Sequence, residues 1–245
     1  MVRRSIGTLV ALAACGGPGD VAPGDDASAP ACAAIDGVSY ATLPTVGAIT
    51  DRPAAQHGDL NLGLRGLTST GGTRALIDLS GPTDDRAPRL DHLFADDRVP
   101  TIVDNLQVDG WDWGCNCATD PLTSPEVTAI AAATTVGEIL EAPSSGYDIG
   151  SGFTARVLYV DDDDLTLKYT GDDNVVSGYT IHLRGVCVEP QLRALYDASN
   201  AAGRSVLPAL RGDQPLGRAR GDRVVMTIRD TGAFMDPRSR KDWWP

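Results

Sequence analysis

Residues 165–170 read LTLKYT, and apolar and polar side chains alternate along this stretch without a break. Successive side chains of a β-strand point to opposite faces of a sheet, so the pattern predicts a strand with one buried and one solvated face. Outward from it, other short apolar or alternating runs are separated by glycine, proline and aspartate, as in mainly β chains. The predicted strands span residues 60–67, 74–79, 101–108, 126–132, 137–142, 153–160, 165–170, 178–183 and 223–229.

One helix is predicted between two of these strands. Pro190 suits the first helical position, Leu192, Leu195 and Tyr196 repeat at helical spacing, and Gly203 suits the C-terminal end. The chain is therefore predicted to be mainly β, with a smaller β region at residues 36–120 and a second β unit at residues 121–245 that carries the helix.

The first fifteen residues, MVRRSIGTLVALAAC, have the features of an export signal. Arg3 and Arg4 precede a short apolar run that is too short to span a bilayer. The ending Leu-Ala-Ala-Cys resembles the lipobox of bacterial lipoproteins, which implies removal of residues 1–14 and lipid attachment to Cys15. An ordinary signal peptide with a chance cysteine is the alternative. Residues 15–35, rich in glycine, proline and aspartate, are predicted to form a disordered tether to the body.

The charge of the chain restricts its partners. Without Arg3 and Arg4, 19 basic side chains remain of 21, against 33 acidic ones, so the mature net charge is −14. Such a surface repels nucleic acid and anionic headgroups, so nucleic acid is excluded as a partner. The lipid is predicted to hold the protein to the bacterial cell envelope, where it would face the periplasm or the exterior.

Four further cysteines are disulfide candidates, because exported proteins occupy oxidising surroundings. A bridge between Cys115 and Cys117 is expected to be strained, so Cys187 is expected to bond to one of them and Cys32 to the other. Sequence alone does not choose among the three connectivities. A zinc site is the alternative, although Cys115-Asn116-Cys117 lacks the C-x-x-C spacing of structural zinc sites.

Common catalytic and cofactor motifs are absent from the sequence, which has no H-E-x-x-H, no G-x-S-x-G, no P-loop and no dinucleotide fingerprint. No cofactor is therefore predicted. The four tryptophans form two clusters that could stack on sugar rings or fill the core: Trp111 with Trp113, and Trp243 with Trp244.

Four stretches in the second half of the chain are similar, in order, to the motifs of one known family. Residues 127–143, VTAIAAATTVGEILEAP, are similar to the family's H-x-G-x-D followed by G-x-P-V-x-A-P. Residues 178–183, GYTIHL, resemble its Y-A-H-L strand, and residues 212–219, GDQPLGRA, its G-Q-x-I-G turn. Residues 225–229, VMTIR, with Gly232 and Asp236-Pro237, resemble its closing H-x-H-F-E-x-R, G and D-P. In this order the four stretches resemble the LytM-like (M23) zinc metallopeptidase domain. The resemblance implies a barrel-like β unit that binds cell-wall peptidoglycan.

The resemblance also implies that the zinc ligands are lost. The family's first histidine and its aspartate fall on Val127 and Ala131, and its H-x-H pair on Arg223 and Val225. Valine and alanine offer no lone pair to a metal, so no metal is expected and no water would be activated. Only His182 matches a family histidine. It is predicted to be structural or to belong to a binding groove.

Three functions follow as hypotheses. The first is a non-catalytic envelope protein that binds peptidoglycan or an envelope partner through a peptidase-like groove, with Trp111, Trp113, His182, Arg223, Trp243 and Trp244 as binding candidates. The second is an active cell-wall metallopeptidase or other hydrolase with unrecognised residues, such as His57, His92 and the acidic loops. The third is a carbohydrate-binding module that uses the tryptophans.

Overall fold

The computed structural model describes residues 32–245. The predicted signal at 1–14, the predicted lipidation site Cys15 and most of the 15–35 tether lie outside the described residues. Within the described part of the chain, no helix is long and apolar enough to span a membrane.

The mainly β class is confirmed. The strands of residues 32–245 are β1 (Ala41–Pro44), β2 (Leu67–Thr70), β3 (Ile102–Asp112), β4 (Cys117–Pro121), β5 (Ala129–Ala133), β6 (Ile139–Glu141), β7 (Ala155–Val160), β8 (Asp164–Lys168), β9 (Tyr179–Arg184), β10 (Val186–Val188), β11 (Val206–Leu210), β12 (Pro215–Ala219), β13 (Arg223–Asp230) and β14 (Ala233–Phe234). The helices are α1 (Pro190–Ala201) and α2 (Arg240–Trp243), with 3-10 turns at Ala54–Gln56, Leu62–Leu64 and Leu90–Leu93.

Eleven strands of the described chain form one antiparallel sheet. Its path is β1-β11-β7-β8-β9-β13-β5-β3-β2, with β14 beside β13 and β4 beside β3. Strands β10, β12 and β6 form a second sheet. Within residues 32–245 the large sheet ends at two edge strands and is not a closed barrel. Strands from both sides of the domain boundary predicted after Asp120 belong to this one sheet.

Two predicted strands are wrong. Residues 60–67 hold a 3-10 turn at Leu62–Leu64, because the side chain of Asn61 accepts a hydrogen bond from the Gly63 N–H at 3.0 Å. An asparagine side chain that bonds to its own backbone in this way competes with strand pairing. Residues 74–79 contribute only an isolated bridge between Ile77 and Ser239.

Helix α1 forms where it was predicted, with Pro190 in its first turn. The carboxylate of Glu189 accepts hydrogen bonds from the N–H groups of Gln191 and Leu192, so it caps the helix N-terminus. Leu192 and Tyr196 are the buried apolar side chains of this helix.

The alternating strand at residues 165–170 is buried on both faces, so its predicted solvated face is wrong. Leu165, Leu167 and Tyr169 belong to the main apolar core. On the other face, the register of β8, β9 and β13 forms two rows of polar side chains. One row consists of Thr166, His182 and Thr227, and the next consists of Lys168, Thr180 and Arg229. A segment of residues 57–65 covers this face, since the Thr166 hydroxyl donates to the Leu60 carbonyl at 2.6 Å.

Candidate functional site

A cleft of about 460 Å³ lies where the covering segment meets the tip of the β3–β4 hairpin. Its lining includes Asp51, Arg52, His57, Asp59, Trp113 and Val176. Trp113 is 45% exposed and Val176 is 61% exposed. We call this site the Trp113 cleft. It presents apolar surface beside charged groups, which is the usual composition of a ligand site.

The two tryptophans of the hairpin pack against each other. The rings of Trp111 and Trp113 meet edge to face with centroids 6.2 Å apart. Trp111 lies directly on Gly58, where a Cβ atom would come within 2.5 Å of the indole. The glycine at position 58 therefore lets the covering segment approach Trp111, and Trp111 in turn supports Trp113.

Arg52 joins Trp113 to the hairpin tip. Its guanidinium lies 5.0 Å from the centroid of the Trp113 ring, within cation–π range. The same guanidinium donates to the side-chain oxygen of Asn116 and, at 3.0 Å, to the Asp51 carboxylate. The Asn116 amide donates to the Gln56 carbonyl at 3.1 Å. These bonds fix the wall of the Trp113 cleft.

His57 is held as a neutral imidazole beside Trp113. The ring centroids of His57 and Trp113 are 4.9 Å apart. Nδ1 of His57 accepts a hydrogen bond from the Asp59 backbone N–H at 3.1 Å, and Nε2 lies 3.7 Å from the Asp51 carboxylate. Burial lowers the pKa of His57, and this effect outweighs the attraction of Asp59 and Asp51 for its proton.

An ionic cluster lies behind the cleft. Oδ1 of Asp59 accepts hydrogen bonds from Arg65 at 2.7 Å and from Arg229 at 2.8 Å. Burial alone would raise the pKa of Asp59, but Arg229 and Arg65 hold it below its usual value. The carboxylate therefore stays ionised and ties the covering segment to β13.

His182 does not line the cleft. It is 1% exposed, and its Nδ1 lies 2.9 Å from the Thr166 hydroxyl. Burial holds the pKa of His182 well below its ordinary value, and Arg229 and Arg65 act in the same direction. A ligand in solution has no contact with this imidazole.

Trp243 and Trp244 are buried in the main apolar core, so of the two interpretations the core-filling one is confirmed for this pair, and the two are wrong as binding candidates. Their indole N–H groups donate to the carbonyls of Asp236 and Pro237 at 2.9 and 2.8 Å. Arg223 is exposed at the start of β13, where it lies 3.4 Å from the neighbouring Asp222 carboxylate and away from the Trp113 cleft.

The disulfide pairing differs from the expected one. Cys32 bonds to Cys187, and Cys115 bonds to Cys117. The expected link from Cys187 to the hairpin is therefore wrong. Asn116 adopts a left-handed conformation with a φ of 53°, and the Cα atoms of Cys115 and Cys117 lie 5.3 Å apart, which suits a direct bridge.

The positions matched to the zinc ligands belong to two hydrophobic clusters. Val225 and Ala131 are register partners on β13 and β5, and both pack in the smaller cluster. Val127 packs in the main core. Across residues 32–245 no group of three or more histidine, cysteine or acidic side chains is arranged to hold a metal ion.

A second polar cluster surrounds His92. The Ser144 hydroxyl lies 2.6 Å from Nδ1 of His92, and the Asp213 carboxylate lies 2.9 Å from the same nitrogen. Asp91 lies 3.8 Å from Nε2. A serine activated by histidine needs an acceptor nitrogen facing the hydroxyl. Asp213 instead favours a proton on that nitrogen, so this arrangement positions the Asp213 turn rather than activating Ser144.

Sequence reasoning identified Trp111 and Trp113, and it named His57 and His92 as hydrolase candidates, but it missed Arg52, Asp51, Asn116 and Ser144. No spacing motif marks these residues, because they meet only through contacts between distant segments. The signal that could have found Asn116 is its place in Gly114-Cys115-Asn116-Cys117, since asparagine is one of the few residues that tolerate a left-handed turn.

Comparison with known proteins gave no relative: no protein family, curated protein or solved structure matches the chain.

Proposed function

We propose that this chain is an exported, lipid-anchored protein of the bacterial envelope that binds the glycan of the cell wall in the Trp113 cleft without cleaving it. The observation that carries the proposal is the exposed indole of Trp113 beside Arg52, Asp51 and His57 in one cleft. Aromatic faces suit the apolar faces of sugar rings, and the charged neighbours suit hydroxyl and amide groups.

Attachment through Cys15 is the second part of the proposal. The lipobox-like sequence supports it, and so do the two disulfides, since disulfides persist in oxidising, exported compartments. The test is metabolic labelling with a tagged fatty acid in a bacterial host. The chain is expected to take up label and fractionate with membranes, and Cys15→Ser is expected to abolish both. Equal labelling of the Cys15→Ser variant would contradict the proposal.

Kinship with the LytM-like family is the third part. The facing positions of Ala131 and Val225 on neighbouring strands support it, because side chains of directly opposed residues lie close enough together to share a metal ion. The packing of Val127 in the other cluster leaves the third ligand position apart. In a relative of this family with valine and alanine at these positions, binding would persist and hydrolysis would be lost.

Retention on purified peptidoglycan tests the glycan proposal. Trp113→Ala removes the stacking face, and we expect roughly tenfold weaker retention, the effect of losing about 1.4 kcal/mol. Val136→Ala is the matched control, because Val136 is 48% exposed and lies outside the cleft. If both variants are retained as well as the parent chain, the cleft does not bind the glycan.

An active hydrolase is the second candidate: Ser144 contacts Nδ1 of His92, and Asp213 would have to leave that nitrogen before it could accept the serine proton. The test is release of soluble fragments from peptidoglycan by the parent chain and by Ser144→Ala. Release that is abolished by Ser144→Ala would replace the binding proposal with a hydrolase. Release by neither protein would support the binder.

A further inference from the structure

The bridge between Cys115 and Cys117 lies on the surface, at the tip of the β3–β4 hairpin. Both cysteines are exposed, and only Asn116 stands between them in the chain. In the other bridge, Cys187 is buried, whereas Cys32 is exposed and lies 155 residues away in the chain. The hairpin bridge therefore has both of its cysteines exposed where the other has one, and it closes a much shorter length of chain.

The fold has little need of the short bridge. A disulfide stabilises a fold mainly by restricting the unfolded chain, and the effect grows with the length of the closed loop. Backbone pairing already holds this hairpin together, with Trp111 opposite Ala118 and Asp112 opposite Cys117. Reduction of the Cys115–Cys117 bridge should therefore cost the fold little, whereas reduction of Cys32–Cys187 releases a long loop.

The short bridge is connected to the Trp113 cleft by a short series of contacts. It constrains Asn116, which binds Arg52 with its side-chain oxygen and the Gln56 carbonyl with its amide. Arg52 in turn lies over the Trp113 ring. The path from the sulfur atoms to the cleft runs through one residue and two of its hydrogen bonds.

We propose that Cys115–Cys117 is a thiol–disulfide exchange site for an exported dithiol, and that its reduction loosens the Trp113 cleft. A thiolate of the dithiol attacks the sulfur of one cysteine, which forms a mixed disulfide and releases the other cysteine as a thiolate. The second thiol of the dithiol then breaks the mixed disulfide. Two electrons pass to the protein, which gains two thiols after protonation, and the dithiol leaves as a disulfide.

The reducibility of the two bridges is measured first, on the purified whole chain. The protein is equilibrated with mixtures of reduced and oxidised dithiothreitol, its free thiols are alkylated, and each cysteine peptide is quantified by mass spectrometry. We expect the equilibrium constant for reduction of Cys115–Cys117 to exceed that of Cys32–Cys187 at least tenfold, which is about 30 mV for two electrons. Equal constants, or the reverse order, would overturn the proposal.

Coupling to the cleft is measured by tryptophan fluorescence in the same mixtures. Selective reduction of the hairpin bridge is expected to change the emission of the parent chain and not that of Trp113→Phe. Cys115→Ser/Cys117→Ser is expected to show the reduced emission throughout, and Cys32→Ser/Cys187→Ser controls for loss of the other bridge. Unchanged emission on reduction of the parent chain would show that the Cys115–Cys117 bridge is not coupled to the Trp113 cleft, and it would overturn the proposal.

Neither measurement involves a glycan. Failure of the cell-wall proposal would therefore leave these results standing, and failure of the redox proposal would leave glycan binding intact.

Discussion

Thr166 and His182 face each other across β8 and β9, with Oγ1 of the threonine 2.9 Å from Nδ1 of the histidine inside the protein. The threonine hydroxyl donates its one hydrogen to the Leu60 carbonyl, so it accepts from His182. Nδ1 therefore carries the proton of the neutral ring, and the buried Nε2 has no hydrogen-bond partner within the described chain.

The first prediction concerns the protonation of His182. Because its pKa is held well below the ordinary value, the unfolded chain takes up a proton below pH 6.5 that the folded chain does not. The contribution of His182 to stability is therefore complete above pH 6.5 and is lost as the pH falls. Between pH 7 and pH 5 we expect the free energy of unfolding to drop by about 2 kcal/mol more in the parent chain than in His182→Gln. Denaturant titrations at both pH values measure this, and parallel curves would contradict it.

The pH dependence of stability expected from Asp164 has the opposite sign to that expected from His182. Burial raises its pKa to about 7, against the pull of Arg184, and Asp161 and Asp163 add to the rise. The folded chain keeps a proton that the unfolded chain loses above pH 3.8, so stability falls as the pH rises from 4 to 7. Asp164→Asn removes this pH dependence. Between pH 4 and pH 8 we therefore expect the free energy of unfolding of the variant to rise by roughly 3 kcal/mol relative to that of the parent chain. A constant difference between the two proteins over this range would refute the assignment.

Lys168 gives a third pH window. It is buried, and its ammonium donates to Thr170 at 2.6 Å and to the Ser177 carbonyl. Burial lowers its pKa to about 8 from 10.5, so between these values the unfolded chain binds a proton that the folded chain lacks. Stability conferred by the neutral lysine therefore grows with pH and is lost as the pH falls toward 8.

Lys168→Met is the comparison for this window, because methionine keeps a similar length without a charge. From pH 8 to pH 10 we expect the parent chain to gain about 2 kcal/mol of unfolding free energy relative to the variant. Thermal and urea unfolding at half-unit pH steps would detect the gain. Its absence would show that Lys168 is charged in the fold.

Gly58 is predicted to be intolerant of a side chain. A Cβ atom there would lie 2.5 Å from the Trp111 indole, so Gly58→Ala must displace the ring. Overpacking of this kind costs about 1–3 kcal/mol. Gly71→Ala is the control, because a Cβ atom at position 71 meets nothing within 4 Å. Unfolding free energies and tryptophan emission are compared, and equal effects of the two variants would rule out the packing argument.

The sequence was most informative where local pattern decides structure. The alternation at residues 165–170 predicted β8, and Pro190 with the leucine and tyrosine spacing predicted α1, because both signals depend on neighbours in the chain. The sequence could not predict that Thr166 is buried beneath residues 57–65 and donates to the Leu60 carbonyl, because Leu60 lies more than a hundred residues earlier in the chain.

The same limit applies to the site. Trp113 and Trp243 have the same chemistry, yet one is exposed at a hairpin tip and the other is enclosed by the core. The pairing of Cys32 with Cys187 likewise depends on which strands become neighbours. Such long-range contacts leave no periodic trace in the sequence, so Arg52 and Asn116 could not be joined to Trp113 before the fold was known.

The Cys32–Cys187 bond determines where mechanical load enters the protein. A pull transmitted along the chain from residues before 32 passes through the sulfur atoms to β10, which pairs with β12 in the three-stranded sheet. Edge strand β1, which pairs with β11 along four residues and would be the first to peel, is thereby shielded from that force. A body pulled by its amino-terminal end would thus resist stretching through a covalent link, and β1 would stay paired with β11.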